Sequence, residues 1–174
     1  SGKKSKDDGI AERAAEGPLV VSVSLARQRL TVYDANGPIA SSPISSGRVG
    51  YSTPTGVFTV VQKKRMHYSN LYDSAPMPNM QRITWSGVAL HAGVLPGYPA
   101  SHGCIRLPHG FSKKLFGMTK MGTYAEADVD AVRAFLGLPP ANLAANPNHQ
   151  AVHGVMGAHG FVPAPVADHW AGAW

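Results

Sequence analysis

The chain has 174 residues, enough for one domain with a real hydrophobic core and too few for two full ones. It is 44% hydrophobic with 19 Gly and 14 Pro, which favours short strands and turns over long helices; no apolar run is long enough for a membrane-spanning helix. A net charge of +6 raises nucleic acid as a partner, but Lys63-Lys64-Arg65 is the only tight basic triplet and no aromatic-interleaved basic stripe accompanies it. No nucleic acid is therefore expected, and a basic surface suits an anionic polymer equally well.

Residues 1–17 are charged, rich in Ala and Gly, and read as a flexible lead-in before Pro18. The opening Ser1-Gly2-Lys3-Lys4 has no signal-peptide pattern and reads as a processed start, which leaves export open. Alternation then sets in. Leu19, Val21, Val23 and Leu25 share one parity, and Leu30, Val32 and Ile39 continue the apolar pattern, predicting strands. Ala26-Arg27-Gln28 and Asp34-Ala35-Asn36-Gly37 interrupt them as turns, the second a strong hairpin signal. A third strand is expected over residues 38–45, then a loop over 46–50, the turn Thr53-Pro54-Thr55-Gly56 and a strand over 57–62. Residues 64–80, with Met66, Tyr68, Tyr72, Met77 and Met80, are expected to be irregular, either an exposed loop with apolar anchors or a flap over a pocket.

Strands over 82–85 and 88–91 follow, separated by Ser86-Gly87, and residues 104–107 form a short apolar segment. Pro108 opens a predicted helix with Phe111, Leu115 and Phe116 at helical spacing. A second amphipathic helix fits 128–136, with Val129, Val132 and Phe135 or Leu136 inward and Gly137 as its cap. From Pro139 onward the chain is rich in Ala, Pro, Asn and His and reads as a loosely docked tail; metal binding through His149, His153, His159 and His169 is the alternative.

Cys104 is the only cysteine, so no internal disulfide can form. It closes the run Ser101-His102-Gly103-Cys104, with His91 upstream at the end of a predicted strand. A cysteine nucleophile needs a base, a group that orients the base, and donors for the oxyanion formed on attack at a carbonyl. His91, fixed by the sheet, is the better base than His102. The N–H groups of Gly103 and Cys104 are the candidate donors. Arg106 shares a face with Cys104 if the chain stays extended, well placed to hold a substrate carboxylate. Two rivals stand beside this reading: a small buried structural thiol, and a zinc site drawn from His91, His102, Cys104 and His109.

His91-Ala92-Gly93 followed by Ser101-His102-Gly103-Cys104-Ile105-Arg106 resembles the signature of the YkuD-type L,D-transpeptidases. Thr53-Pro54-Thr55-Gly56-Val57-Phe58 and Trp85-Ser86-Gly87-Val88 resemble further elements of that family, and the likeness spans about residues 18–123. The resemblance implies a mainly β, β-sandwich-like catalytic domain with one or two short helices. It implies that Cys104 attacks the bond between diaminopimelate and D-Ala in a peptidoglycan stem tetrapeptide. His91 would be the base, its ring oriented by the Ala92 carbonyl. His102 and Gly103 would line the oxyanion site with Cys104. Ser101, Arg106, Trp85, Tyr72 and Met77 would contact substrate. No metal or other cofactor is implied. The acyl acceptor would be a second stem peptide, an amine of an envelope protein, or water, which would make a hydrolytic L,D-carboxypeptidase or endopeptidase; a non-catalytic wall-binding module is the rival from another class. Carbapenems would acylate Cys104, and the enzyme would work in the periplasm or cell envelope. The polar run 123–128 departs from the Val- and Ile-rich strand usual in the family and reads as the approach to a helix. The expected layout is a lead-in over 1–17, a catalytic domain over 18–128, and a helix with an extension over 129–174.

Overall fold

The computed structural model describes residues 13–70 and 74–135. The chain forms β1 (Val20–Ser24), β2 (Arg29–Asp34), β3 (Gly37–Pro43), β4 (Gly56–Thr59), β5 (Gln62–Tyr68), β6 (Pro76–Arg82), β7 (Ala89–Ala92), β8 (Ile105–Leu107), α1 (His109–Met118), β9 (Tyr124–Ala127) and α2 (Asp130–Phe135). One sheet has the order β3-β2-β1-β9-β4 and the other β5-β6-β7-β8. The mainly β architecture with short helices matches the expectation. The tail histidines and Gly137 lie outside the described residues, as does Tyr72.

Alternation explains the first sheet. Val21 and Val23 on β1 and Leu30 and Val32 on β2 project inward and are fully buried or nearly so. They join Phe58 of β4, Leu90, Ile105 and Leu107 of the second sheet, and Leu115 of α1 in one core cluster. Each such side chain contributes about 1.5–3 kcal/mol by leaving water. The turn before β3 uses Gly37 at φ 124°, a conformation that side chains other than glycine rarely adopt.

Four expectations are corrected. The strand expected over 57–62 divides where the chain crosses between sheets: Val60 N–H bonds to Thr123 O at 2.9 Å, and Val61 N–H to Arg82 O at 2.8 Å. The stretch expected to be irregular over 64–80 is mostly the antiparallel pair β5–β6, with Lys64 opposite Met80 and His67 opposite Met77. Its edge strand β5 is largely solvated and cationic, so it carries no apolar alternation to read. Within residues 123–128, Tyr124–Ala127 do form a strand, β9, lying between β1 and β4. The polarity that argued against it is satisfied inside: the Ser22 hydroxyl and, at 2.9 Å, the Val129 N–H donate to Glu126, and the Arg133 guanidinium forms an ion pair with it at 3.6 Å. Residues 13–17, read as part of the lead-in, are tied to the β2–β3 hairpin. Arg13 donates twice to the Asp34 carboxylate, at 2.5 and 2.6 Å, and Glu16 N–H donates to it at 2.8 Å. The Arg13 hydrogen bond holds the Asp34 carboxyl well below the usual carboxylate range.

Pro108 occupies the N-cap of α1, where its missing N–H leaves nothing unsatisfied. At the other end, Lys63 of β5 donates to Phe116 O at 2.6 Å and Thr119 O at 2.7 Å, placing a cation on the negative end of the helix. Arg65 joins it, each cation 4.2 Å from the centroid of the Phe116 ring. This pins α1 across β6 and so fixes the sheet that carries the site. At the C-terminal end, Val129, Val132 and Arg133 are buried.

Candidate active site

Parallel pairing of β7 with β8 places His91 beside Arg106 and Leu90 beside Ile105. Side chains alternate along a strand, so Leu90 and Ile105 enter the core while Ala89, His91, Cys104 and Arg106 share the other face. Ala89 packs with Met77 and Met80 into a small apolar floor, against which the partly exposed Cys104 rests. Above it lies a cavity of about 310 Å³ whose lining includes Cys104, His91, His102, Ser101, Arg106 and Met77.

The His91 ring is buried, and its Nδ1 lies 2.7 Å from the Ala92 carbonyl oxygen. That oxygen can only accept, so Nδ1 carries the hydrogen and Nε2 keeps the lone pair. Burial lowers the pKa of His91; the Ala92 contact opposes this and the charge of Arg106 adds to it. Burial raises the pKa of Cys104, against a backbone hydrogen bond with Ala89 and the charges of Arg106 and Arg82. Both shifts favour a neutral imidazole beside a neutral thiol. The thiol hydrogen faces the Gly87 carbonyl, with Sγ 3.8 Å from its oxygen.

The other expected residues divide. Arg106 lines the cavity, its stem packed so closely over Gly93 that a Cβ there would lie 3.0 Å from both Cγ and Cδ. The His102 ring meets Tyr51 edge-on, with centroids 4.9 Å apart, and Tyr51 in turn lies under the Arg48 guanidinium. Ser101 lines the cavity too, but its hydroxyl serves the turn: it accepts from Gly103 N–H at 3.0 Å and donates to Cys104 O at 2.5 Å. Gly103 N–H is thereby committed, and of the two expected oxyanion donors the Cys104 N–H remains. Trp85 is exposed and lines a second cavity of about 240 Å³ with His67, Met80, Arg82 and Gly87. Met77 and Ser69 border both cavities, and the Gly87 carbonyl brings the second to the thiol. Among the described residues no three His, Cys, Asp or Glu side chains converge as a metal would require.

Residues that sequence reasoning missed hold the turn over 101–104 in place. Ser46 O accepts the N–H groups of Ala100 and Ser101, and Arg48 N–H donates to Ser101 O at 2.9 Å. Gln28 grips Ser46 from below: its amide oxygen accepts Ser46 N–H at 3.0 Å and its nitrogen donates to Ser46 Oγ at 2.8 Å. Thr53 bonds to both Gly47 and Gly103. Of these only Thr53 had a signal, the Thr53-Pro54-Thr55-Gly56 motif; Gln28, Ser46 and Arg48 had none.

A buried imidazole of fixed tautomer and a thiol on one face of a parallel strand pair define a cysteine–histidine site on a two-sheet scaffold. The chain matches the L,D-transpeptidase catalytic domain model, YkuD, over residues 18–132 and belongs to that family. It is similar to a crystal structure of an L,D-transpeptidase from Stackebrandtia nassauensis, at 27% identity and TM-score 0.59, covering 72% of this chain and 60% of that one. L,D-transpeptidase 1 from Mycobacterium tuberculosis is similar at 26% identity and TM-score 0.56, covering 63% and 61%. An L,D-transpeptidase in complex with imipenem is similar at 25% identity and TM-score 0.58, covering 63% and 58%. The chain thus spans about 60% of the length of the Stackebrandtia structure. Comparison with curated proteins found no match.

Proposed function

We propose that the chain is a cysteine-dependent L,D-transpeptidase acting on peptidoglycan stem peptides in the cell envelope. One observation carries the reading: the only thiol of the chain shares a cavity with an imidazole whose Nδ1 is held by a backbone carbonyl, leaving Nε2 as a base. Because both groups rest neutral, Sγ loses its proton to His91 as it attacks, rather than waiting as a stored thiolate. Sγ bonds to the carbonyl carbon between diaminopimelate and D-Ala, and the Cys104 N–H meets the resulting oxyanion. The C–N bond breaks, His91 returns the proton to the leaving D-Ala amine, and a thioester remains. An acceptor amine, from a stem peptide or an envelope protein, then attacks the thioester while His91 takes its proton, and the thiol is restored.

Arg106 holds a substrate carboxylate in this scheme. Burial is the main cause of the lowered His91 pKa and the charge of Arg106 a smaller one, so pairing Arg106 with that carboxylate relieves only the smaller part and strengthens the base modestly once substrate is bound. The two cavities that share Met77 and Ser69 leave room for a donor and an acceptor. The imipenem complex of a relative supports acylation of Cys104 by carbapenems.

The test is incubation of the protein with purified tetrapeptide muropeptides, beside Cys104→Ala, with products identified by mass spectrometry. Cross-linked dimers are expected from the wild type alone. Tripeptides without dimers would mean that water resolves the thioester, as in an L,D-carboxypeptidase or endopeptidase. Binding without turnover would mean a wall-binding module, and undiminished products from Cys104→Ala would sink the mechanism.

A further inference from the structure

Thr53 is buried, fifty residues from the nucleophile turn in sequence, and bonded to it directly. Its hydroxyl accepts from Gly47 N–H at 2.9 Å and lies 2.7 Å from Gly103 O. A hydroxyl has one hydrogen. The amide can only donate and the carbonyl can only accept, so that hydrogen points at Gly103 O. Gly103 O belongs to the peptide whose nitrogen is that of Cys104. No peptide bond among the described residues is cis, so this N–H points opposite to the carbonyl Thr53 holds. No backbone acceptor takes the Cys104 N–H among the described residues. The peptide on the other side of Cys104 is pinned by the Ser101 hydroxyl at 2.5 Å.

Resting on the acyl-transfer reading of Cys104, we infer that Thr53 is a positioning residue that aims the Cys104 N–H at the oxygen of the attacked carbonyl. The chain supports Thr53 in turn. Pro54 confines it to extended backbone. Gly47 brings its N–H to the hydroxyl at a point where a Cβ would lie 1.9 Å from Tyr51 O. Without the hydroxyl the Gly103–Cys104 peptide is free to turn about its flanking bonds. Its oxyanion donor is then no longer preorganised, while the thiol and His91 keep their places.

The experiment separates two reactions of one sulfur. Acylation by imipenem passes through an oxyanion; alkylation by iodoacetamide, a displacement at a saturated carbon, does not. Rates of both are followed by intact-protein mass spectrometry for the wild type, Thr53→Val and Thr53→Ser, with thermal melting of each. Losing an oxyanion donor outright costs about 100- to 1000-fold, so losing the group that aims it is expected to slow Thr53→Val acylation about 10- to 100-fold, with alkylation within about twofold of wild type. Thr53→Ser is expected to restore acylation. Equal loss of both reactions in Thr53→Val, no loss of acylation, or a Thr53→Ser that behaves like Thr53→Val would overturn the role of Thr53 alone. If Thr53→Val does not fold, Thr53→Ala supplies the same ratio, and failure of both to fold makes the hydroxyl structural and overturns the inference. A wild-type chain that imipenem never acylates overturns the underlying reading, and this one with it.

Discussion

Replacing Glu126 by Gln tests how the centre of the first sheet tolerates a charge. Glu126 is fully buried on β9, and burial pushes its pKa up to about 7 against the pull of Ser22, the Val129 N–H and Arg133. Its ordinary value is 4.5, so between there and about 7 the native state holds more protons than the unfolded chain. Stability from this group is therefore greatest in acid, falls as pH rises through that window, and levels off above it. At about 1.4 kcal/mol per pH unit, the displacement corresponds to roughly 3 kcal/mol. Glu126→Gln keeps the size and removes the titration, so other groups cancel in the comparison of the two proteins. The unfolding free energy of the variant minus that of the wild type should rise by about 2.5 kcal/mol between about pH 5 and pH 8. Urea unfolding followed by tryptophan fluorescence measures it. Removing the carboxylate leaves Arg133 a buried cation without that partner, a cost that does not vary across this range; if the variant fails to fold, Glu126→Gln with Arg133→Met gives the same comparison. A difference that stays constant across the window, or that falls with pH, would refute the argument.

Gly93→Ala places a methyl 3.0 Å from Arg106 Cγ and Cδ and must shift the guanidinium. KM for a carboxylate-bearing donor should rise about tenfold with kcat nearly unchanged, and a fall in kcat at constant KM would argue against Arg106 as the carboxylate clamp. Gly47→Ala meets backbone at 1.9 Å, which cannot yield as a side chain would. We expect at least about 2 kcal/mol of destabilisation and loss of imipenem acylation, checked by melting and mass spectrometry. Lys63→Met removes two bonds to the last carbonyls around α1 and should cost about 1–2 kcal/mol in urea unfolding, with the acylation rate of the folded protein unchanged. The acid limb of kcat/KM should lie below the ordinary histidine value of 6.5, because burial lowers the pKa of His91; a limb at or above that value would contradict His91 as the buried base of the proposed mechanism.

What could be read from the sequence depended on how each residue is satisfied. Val21, Val23, Leu30 and Val32 announce their strands because burial on one face is paid in apolar side chains at every second position. Lys63 and Arg65 hide theirs, because β5 covers α1 with cations stacked on Phe116 and leaves Lys64, Met66 and Tyr68 in solvent. Glu126 hides β9 in the opposite way: an acid in a central strand contradicts local preference until Ser22, Val129 and Arg133, none of them its neighbour along the strand, are brought to it. The site follows the same rule. His91, Cys104 and Arg106 were legible because strand period and a distinctive run place them on one face. Ser101 and Gly103 were visible as residues, but their roles were not, since only the folded turn shows that the serine hydroxyl takes the Gly103 N–H. Gln28 and Thr53 act from other parts of the chain through two hydrogen bonds each, which leave no periodic trace. Sequence pattern therefore reports which side chains face the cavity, whereas the direction of each peptide plane around Cys104 is decided by contacts of long sequence separation. The proposed acyl transfer would depend on that direction, because a donor aimed away from the oxyanion stabilises nothing, however well placed a thiol and its base.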